Sequence, residues 1–289
     1  SSVSFGFDSE TKKEISTNQF VISSPVNLKF SWIPGGSFII GDHSGSGQND
    51  EQPLKRINIE GFWIMTTEVT RSAYAEFVRQ QSYSYEKGCW VHDGRWVKRK
   101  NLDWQNPGFV QEENHPVTCV SWNDVQAFII WLNSQTDYKF RLPTEAEWEF
   151  ATRAGSDTVY FFGQLPGKLC EFANAADVSS LQDYPNFSAN DCDDGYVRTS
   201  PVAKFKPNPN GIYDVYGNVW EWVEDCWSSD YKTLSNDGSA NLSGDCQRRG
   251  FRGGGYGDIP HFARSTLRNR GNKSHRKDDI GFRLVMEKN

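Results

Sequence analysis

The sequence has little of what would place it in several common protein classes. Its 289 residues include no apolar run long enough to cross a membrane. Only 2 methionines accompany 25 glycines, and this composition argues against a helical bundle. The net charge of −6 disfavours general nucleic-acid binding. The chain begins at Ser1 without a methionine, so we expect a processed or trimmed N-terminus.

Six cysteines are present, and no two of them form a CxxC pair, the close spacing that zinc and thioredoxin-type sites use. An even number of well-separated cysteines favours disulfide bonds in an oxidising compartment. The alternative is a set of buried free thiols in a cytosolic protein. If nearest neighbours pair, the bonds join Cys89 to Cys119, Cys170 to Cys192, and Cys226 to Cys246.

Capping signals predict three short helices. Thr70 opens the first, Ser121 caps the second and Thr144 caps the third, each before residues with helical apolar spacing. Short strands and turns account for the rest, and nothing marks a linker between two compact halves. We therefore predict one α+β domain with little regular secondary structure over residues 28–289, preceded by an N-terminal arm over residues 1–27.

The stretch over residues 211–227 interleaves aromatic rings with acidic residues, so it is too polar for a simple core strand. Carboxylates among large rings need a partner. Asp214 and Glu221, with the carbonyls of Gly217 and Val219, would suit one hard cation such as calcium. The alternative is a buried turn whose carboxylates meet arginine side chains.

Six segments form an ordered set of motifs. They are WIPGGSFIIG at 32–41, EVTRSAYAEF at 68–77, HPVTCVSWNDVQAF at 115–128, RLPTEAEWEFATRAG at 141–155, GIYDVYGNVWEWVEDCW at 211–227, and FRGGGY with IGFRL near the end. Together they resemble the formylglycine-generating enzyme and sulfatase-modifying-factor family, from about Phe30 to Leu284. The resemblance implies a variant of the C-type lectin fold with little regular secondary structure.

The resemblance also implies two structural calcium sites. One falls on Asn174, Ala175, Asp194 and Tyr196, and the other on Asp214, Gly217, Val219 and Glu221. Four of these residues, Ala175, Tyr196, Gly217 and Val219, would contribute backbone carbonyls. Calcium thus becomes the expected cofactor, with a structural role.

The family's cysteine chemistry is not carried over. Members that oxidise a sulfatase cysteine use two cysteines, in a stretch like GGSY-x-C-x4-C, to position copper, and residues 253–263 here contain none. Asp258 and His261 alone cannot build a soft thiolate site, so we expect no copper and no formylglycine generation. The five histidines also lack the HxxxHxE grouping of the iron-binding sulfoxide synthases. The periplasmic oxidase that matures pyoverdine siderophores lacks the cysteine pair too, so that branch is not excluded.

The segment over residues 252–279 is predicted to be a ligand-binding surface. Between strand-like ends it mixes aromatic, aliphatic and small polar residues without periodicity, as binding loops on rigid scaffolds do. It resembles the variable proteins of diversity-generating retroelements, including a treponemal lipoprotein, whose C-terminal codons are diversified. For the aromatic members the alternative is simple packing in the surface. The candidate contacts are Gly255, Tyr256, Gly257, Asp258, Ile259, His261, Phe262, Leu267, Asn272 and His275.

Arginines and lysines make this segment basic within an acidic protein. They would either bind an acidic ligand or fold inward onto buried carboxylates. We expect the inward arrangement for Arg252, Arg268 and Arg283, because these three lie in the family motifs. The candidate partners are Asp214, Glu221, Glu224 and Asp225.

Two functions are weighed on this basis. The first is an exported, non-catalytic protein, periplasmic or at the cell surface, that binds a protein or another macromolecule and meets a membrane only through an N-terminal lipid anchor outside this sequence. The second is a periplasmic oxidoreductase of the siderophore-maturation kind acting on a phenolic substrate, with Asp258 and His261 as the local acid-base pair. A scaffold that masks a partner enzyme is a weaker third reading. The exposed, aromatic and small-polar character of the segment favours the first.

Overall fold

The computed structural model describes residues 12–16, 18–183, 185 and 188–287. This part of the chain forms a single α+β domain in which long loops join short strands to four helices. The helices are α1 (Arg71–Gln81), α2 (Trp122–Gln135), α3 (Glu145–Arg153) and α4 (Leu169–Phe172). The strands are β1 (Lys12–Ser16), β2 (Gln19–Ile22), β3 (Leu28–Ile33), β4 (Gly36–Ile40), β5 (Lys55–Ile59), β6 (Phe62–Met65), β7 (Cys89–His92), β8 (Trp96–Arg99), β9 (Phe140–Arg141), β10 (Trp220–Trp227), β11 (Asp245–Arg252), β12 (Arg268–Asn272), β13 (Ile280–Gly281) and β14 (Val285–Met286).

The three predicted helices are α1, α2 and α3, and each begins at its predicted cap. The side chain of Thr70 accepts a hydrogen bond from the backbone N–H of Ala73, and Ser121 and Thr144 complete reciprocal capping boxes. The fourth helix, α4, was not predicted. It has only 4 residues, too few for an apolar period to be visible.

Two larger sheets organise the domain. Six strands pair in the order β1-β2-β3-β6-β14-β9, and four pair in the order β12-β11-β10-β13. Strand β10 lies inside the second sheet, antiparallel to β11 and parallel to β13. The aromatic and acidic stretch over residues 211–227 therefore runs into the centre of the domain.

The core consists of two main hydrophobic clusters. In the first, Phe77 of α1 and Phe128 of α2 pack with Phe30 of the six-stranded sheet. In the second, Ala146 of α3 packs with residues of the β4–β5 hairpin such as Ile57. The four-stranded sheet lies beside both, so its loops are held by an ordered framework.

Three disulfide bonds join Cys89 to Cys119, Cys170 to Cys192, and Cys226 to Cys246. This confirms the nearest-neighbour pairing, and the alternative of free thiols is wrong. Three disulfides in one domain are typical of an oxidising compartment. The first bond fixes the base of the β7–β8 hairpin, and the hairpin bears on the site described below.

The predicted N-terminal arm, residues 1–27, lies partly outside the described residues, which begin at residue 12 and omit residue 17. Within the described part, β2 pairs antiparallel with β3 and extends the six-stranded sheet. The domain boundary at residue 28 stays a prediction. Among the helices that the structure describes, none combines the length and the apolar character that a membrane span requires.

Candidate functional site

Three buried carboxylates lie around the N-terminal end of β10, namely Glu68, Asp214 and Glu221. Each of these side chains is at most 2% exposed. The Nε and Nη2 groups of Arg283 donate to the two oxygens of Glu221, both at 2.6 Å. The indole N–H of Trp148 donates to the same carboxylate at 2.8 Å. The predicted inward pairing of Arg283 with Glu221 is therefore confirmed, and this pair stabilises the turn before β10.

The other two carboxylates are less well satisfied. Asp214 Oδ2 accepts the backbone N–H of Ala203 at 2.7 Å, and Glu68 Oε1 accepts from Asn218 Nδ2 at 3.1 Å. Asp214 Oδ1 and Glu68 Oε2 are buried without a hydrogen-bond partner. Burial raises the pKa of Glu68 well above its usual range, and it raises the pKa of Asp214 to about 6. Three carboxylates face one guanidinium here, so a further cation would balance their charge.

The two predicted calcium positions lie side by side, because Asn174 forms a β-bridge with Gly217. The backbone N–H of Asn218 donates to the carbonyl of Asn174 at 2.6 Å. A Cβ atom on Gly217 would lie 1.9 Å from that carbonyl oxygen, so only glycine fits at this φ of +68°. Asn174 Oδ1 is a third buried oxygen without a partner.

Asp194, predicted for the first calcium site, is held by backbone groups. Its oxygens accept from the N–H of Ala175 at 3.0 Å and of Tyr196 at 2.8 Å, and burial raises its pKa to about 7. Asp177 and Cys170 lie beside it in an acidic and cysteine cluster whose ligand atoms are within 4.8 Å of one another. Cys170 is disulfide-bonded and offers no thiolate. Any metal here would rely on the two carboxylates.

The oxygens available around Asn174 and Asp214 fit a hard cation such as calcium, which accepts carboxylate, amide and carbonyl oxygens together. Sequence reasoning named Glu221 as a ligand, whereas the structure shows both of its oxygens engaged by Arg283. Sequence reasoning missed Glu68. Its position in the 68–77 motif, next to the buried Val69, was the signal that could have revealed a buried carboxylate.

Arg252 and Arg268 also fold inward as predicted, but their partners differ from those expected. Arg252 pairs with Glu149, and Arg268 Nε donates to Glu145 Oε2 at 2.7 Å. These glutamates are one turn apart on α3, and both are buried. Asp225 of β10 instead accepts the backbone N–H of Glu145 at 2.8 Å, so it has no need of an arginine.

The C-terminal segment lines a pocket of about 400 Å³. Five of the ten candidate residues contribute to it, namely Tyr256, Gly257, Asp258, Ile259 and Phe262. The remaining walls come from Asp279 at the end of the segment, from His92 and Trp96 of the β7–β8 hairpin, and from Ser188 and Arg198. Sequence reasoning missed His92 and Trp96, because residues 88–111 carry no periodic signal beyond scattered aromatics, and it also missed Ser188 and Arg198.

The other five candidates lie elsewhere. Leu267 is wrong as a ligand contact, because it is 2% exposed and packs in the first core cluster. Gly255 is buried, and its N–H donates to Asp258. His261 is exposed but is not among the pocket residues. Asn272 ends β12, and His275 packs edge-on against a tryptophan of β7.

Hydrogen bonds hold the acidic side chains at the pocket. Asp258 Oδ2 accepts from the indole N–H of Trp220 at 2.7 Å and from Gly255 N–H at 2.8 Å, and burial raises its pKa to about 6. The hydroxyl of Tyr256 donates to Asp278 at 3.0 Å. The proposed acid-base pair of Asp258 with His261 has no support in this geometry. Tyr256 with Asp278 is the hydrogen-bonded pair at the pocket.

Residues 21–288 match the family model described as "Sulfatase-modifying factor enzyme 1-like domain". The formylglycine-generating enzyme of Mus musculus is 31% identical in an alignment of 230 positions that covers 68% of this chain and 58% of that protein. The chain thus spans less than two thirds of that relative. The inactive C-alpha-formylglycine-generating enzyme 2 of Bos taurus is 29% identical over 288 residues, covering 88% of this chain and 86% of that protein.

Two solved structures share the fold. The structure of PvdO from Pseudomonas aeruginosa is 32% identical with a TM-score of 0.78, covering 91% of this chain and 95% of that one. Variable protein 1 of Treponema denticola is 19% identical with a TM-score of 0.71, covering 92% and 98%, and at this identity it shows the fold alone. The family match covers nearly the whole chain and agrees with the motifs, the caps and the inward arginines. The chain therefore belongs to the sulfatase-modifying factor enzyme 1-like family.

Proposed function

We propose that this chain is an exported ligand-binding protein in which the C-terminal segment forms a pocket that receives one group of the ligand. The observation that carries the proposal is the pocket that Tyr256, Ile259 and Phe262 build with the β7–β8 hairpin. Concave sites with apolar walls and a few fixed polar groups are where ligands bind. The three disulfides support export to the periplasm or the cell surface.

The dimensions of the pocket indicate what enters it. A volume of about 400 Å³ suits one ring with a short substituent, either as a small molecule or as a side chain that protrudes from a macromolecule. Trp96 is 43% exposed and Phe262 is 36% exposed at the pocket. Partly exposed aromatic residues are the usual anchors of binding sites. A macromolecular ligand, as expected from the sequence, would then present an aromatic group here.

Calcium, in this proposal, stabilises the scaffold. Glu68 and Asp214 would supply carboxylate oxygens and Asn174 an amide oxygen, since each has a buried oxygen without a partner. The neighbouring carbonyls of Gly217 and Val219 would complete the set, as the family resemblance implies. A bound cation would relieve the repulsion among the carboxylates and fix the turn that precedes β10. No copper is expected, because all six cysteines form disulfides.

We also propose that the C-terminal segment over residues 252–279 is diversified among related genes. Gly257, Ile259 and Phe262 are only partly buried and line the pocket, so substitutions there would change the ligand without disturbing the core. Leu267 would not tolerate such changes, because it belongs to the core. Sequencing this gene region in sibling isolates tests the idea, with variation expected at the first three positions and none at Leu267. Invariance at the first three would contradict it.

Titration with a neutral aromatic probe tests the binding proposal. We expect 4-ethylphenol to shift the backbone NMR signals of residues 256–262 and the indole signal of Trp96. The Phe262→Ala variant should weaken binding about tenfold, since a buried aromatic contact contributes about 1.5 kcal/mol. The Ile130→Ala variant removes an apolar side chain that is 70% exposed on α2 and should bind like the wild type. Shifts spread over the surface, or none at all, would contradict the proposal.

The second candidate is an oxidoreductase of the siderophore-maturation kind, and one observation favours it. The identity to PvdO is 32%, compared with 19% for the Treponema variable protein. The buried pair of Tyr256 with Asp278 could hold or move a proton at the pocket. Oxygen consumption in the presence of catechol decides between the candidates. Turnover that is abolished by Asp278→Asn would support the oxidoreductase, and probe binding without turnover would support the binding protein.

A further inference from the structure

The charged groups beneath the pocket point to the class of ligand, provided that the proposed binding function holds. Asp258 and Asp279 line the pocket. Asp278 lines an adjoining pocket of about 420 Å³ that shares His92 and Arg198 with the first. Three carboxylates therefore lie where the two pockets meet.

Two of these carboxylates are already engaged. Asp258 accepts from two N–H groups, as described above. The Nζ of Lys277 donates to Asp279 Oδ2 at 3.1 Å and lies 3.0 Å from Oδ1, although Oδ1 itself is buried without a hydrogen bond. Lys277 also lies 3.7 Å from the centre of the Trp96 ring. This lysine is thus fixed between its carboxylate and the tryptophan, and it is the resident cation of Asp279.

Asp278, unlike Asp279, has no salt-bridge partner among the described residues. It is 2% exposed, its Oδ2 accepts from the Tyr256 hydroxyl, and its Oδ1 is buried without a hydrogen-bond partner. Arg198 forms a side-chain hydrogen bond with the same tyrosine, its guanidinium lies 5.7 Å from the ring centre, and it also pairs with Asp183 at 3.1 Å. This buried carboxylate oxygen has no hydrogen-bond donor in the part of the chain that the structure describes, and a ligand can supply one.

An exposed cation at the rim acts in the opposite direction. Arg99 is exposed and lines the adjoining pocket, so it would attract anions, but it pairs with Asp93 at 2.6 Å. Salt screens exposed charges over about 8 Å at physiological ionic strength. The attraction between two charges is several-fold stronger in the low effective dielectric constant of a protein interior than in water. The buried carboxylates therefore decide which charge is preferred inside the pocket.

We propose that the site takes a ligand with an aromatic ring and a protonated amine. The ring lies in the pocket that Phe262 and Tyr256 line, and the ammonium reaches Asp278 in the adjoining pocket. An ammonium has three donors, so it can satisfy Asp278 Oδ1 while remaining partly hydrated. The aromatic walls would contribute a further cation–π attraction.

Three phenols of matched size test this proposal by isothermal titration calorimetry at pH 8. Tyramine carries the ammonium, 3-(4-hydroxyphenyl)propanoate carries a carboxylate in its place, and 4-ethylphenol is neutral. We expect tyramine to bind at least tenfold more tightly than 4-ethylphenol, and the propanoate to bind most weakly. The Asp278→Asn variant should lose that tenfold preference and keep its affinity for 4-ethylphenol.

The controls separate failure of this inference from failure of the binding proposal. Asp137→Asn makes the same charge change at an exposed position and should leave all three affinities unchanged. If Asp278→Asn proves unstable, Tyr256→Phe replaces it in the test. This variant removes the hydroxyl that holds Asp278 and should reduce the preference for tyramine. Binding of 4-ethylphenol without a preference for tyramine overturns the inference and leaves the binding function standing. Failure of all three phenols to bind overturns both.

Discussion

Replacement of Glu68 by glutamine should have opposite effects with and without calcium. The Glu68 carboxylate is fully buried near Asp214 and Glu221, and one of its oxygens has no partner. Without a cation, the folded protein must either ionise this group against its neighbours or hold a proton well above the usual carboxyl pKa. Both cost stability, and neutral glutamine avoids the cost.

The neighbouring carboxylate gives the scale of this effect. The pKa of Asp214 rises from 3.8 to about 6, which corresponds to on the order of 3 kcal/mol at neutral pH. Glu68 is as buried as Asp214 and its pKa is raised in the same direction, so we expect Glu68→Gln, which removes this ionisable group, to add about 2 kcal/mol to the free energy of unfolding in a chelator at pH 7.5. In a chain of this size that raises Tm by about 4 °C. A raised carboxyl pKa does not lower the free energy of unfolding below about pH 4, but it lowers it more and more as pH rises. The stability gain of Glu68→Gln over the wild type should therefore vanish near pH 4.

In calcium, the wild type should be more stable than the Glu68→Gln variant. A site at 100 times its Kd stabilises the fold by about 2.7 kcal/mol, and we expect this gain in the wild type and little of it in Glu68→Gln. Differential scanning calorimetry in chelator and in calcium measures both effects. The Glu112→Gln variant, at an exposed position, should follow the wild type. A Glu68→Gln protein that is destabilised in chelator yet keeps its full calcium response would refute the reasoning.

Three further predictions concern the buried charges and the pocket. Arg283→Met should cost about 3–5 kcal/mol in urea unfolding, because it leaves the Glu221 carboxylate buried without its partner. Tyramine affinity should fall about tenfold from pH 8 to pH 6, because burial raises the pKa of Asp278 to about 7 and only its ionised form attracts the ammonium. Phe262→Ala should weaken probe binding while changing the free energy of unfolding by less than about 0.5 kcal/mol, since the ring is partly exposed.

The first two of these predictions have matched comparisons. Arg270→Met alters an exposed arginine, so a loss as large as that for Arg283→Met would contradict the first. Asp279, Lys277, Arg198 and Tyr256 surround Asp278 and shift its titration. The Asp278→Asn protein should therefore bind tyramine with little dependence on pH. An unchanged pH profile in that variant would assign the effect to another group.

Local signals in the sequence were enough for the helices and the disulfides. The caps at Thr70, Ser121 and Thr144 act over three residues, so their partners stand in the same motif. The cysteines pair across loops of 20 to 30 residues, and no other cysteine intervenes within a loop. The inward arginines were also predictable, because buried carboxylates require donors.

Long-range partners could not be predicted in the same way. Arg252 and Arg268 meet α3 rather than β10, because the glutamates of α3 lie one turn apart and face the four-stranded sheet. The pocket joins the hairpin at residues 89–99 to residues 256–262 across more than half of the chain. No periodicity links such segments. Leu267 was misassigned because a loop residue that is buried by tertiary contacts looks the same in sequence as one on the surface.

A crystal structure of the protein with tyramine at pH 8 would test the central claim most directly. We expect the phenol ring beside Phe262 and Tyr256, with the amine nitrogen within about 3 Å of Asp278 Oδ1. Tyramine bound elsewhere, or a pocket that stays empty at saturating tyramine, would contradict the assignment of this site.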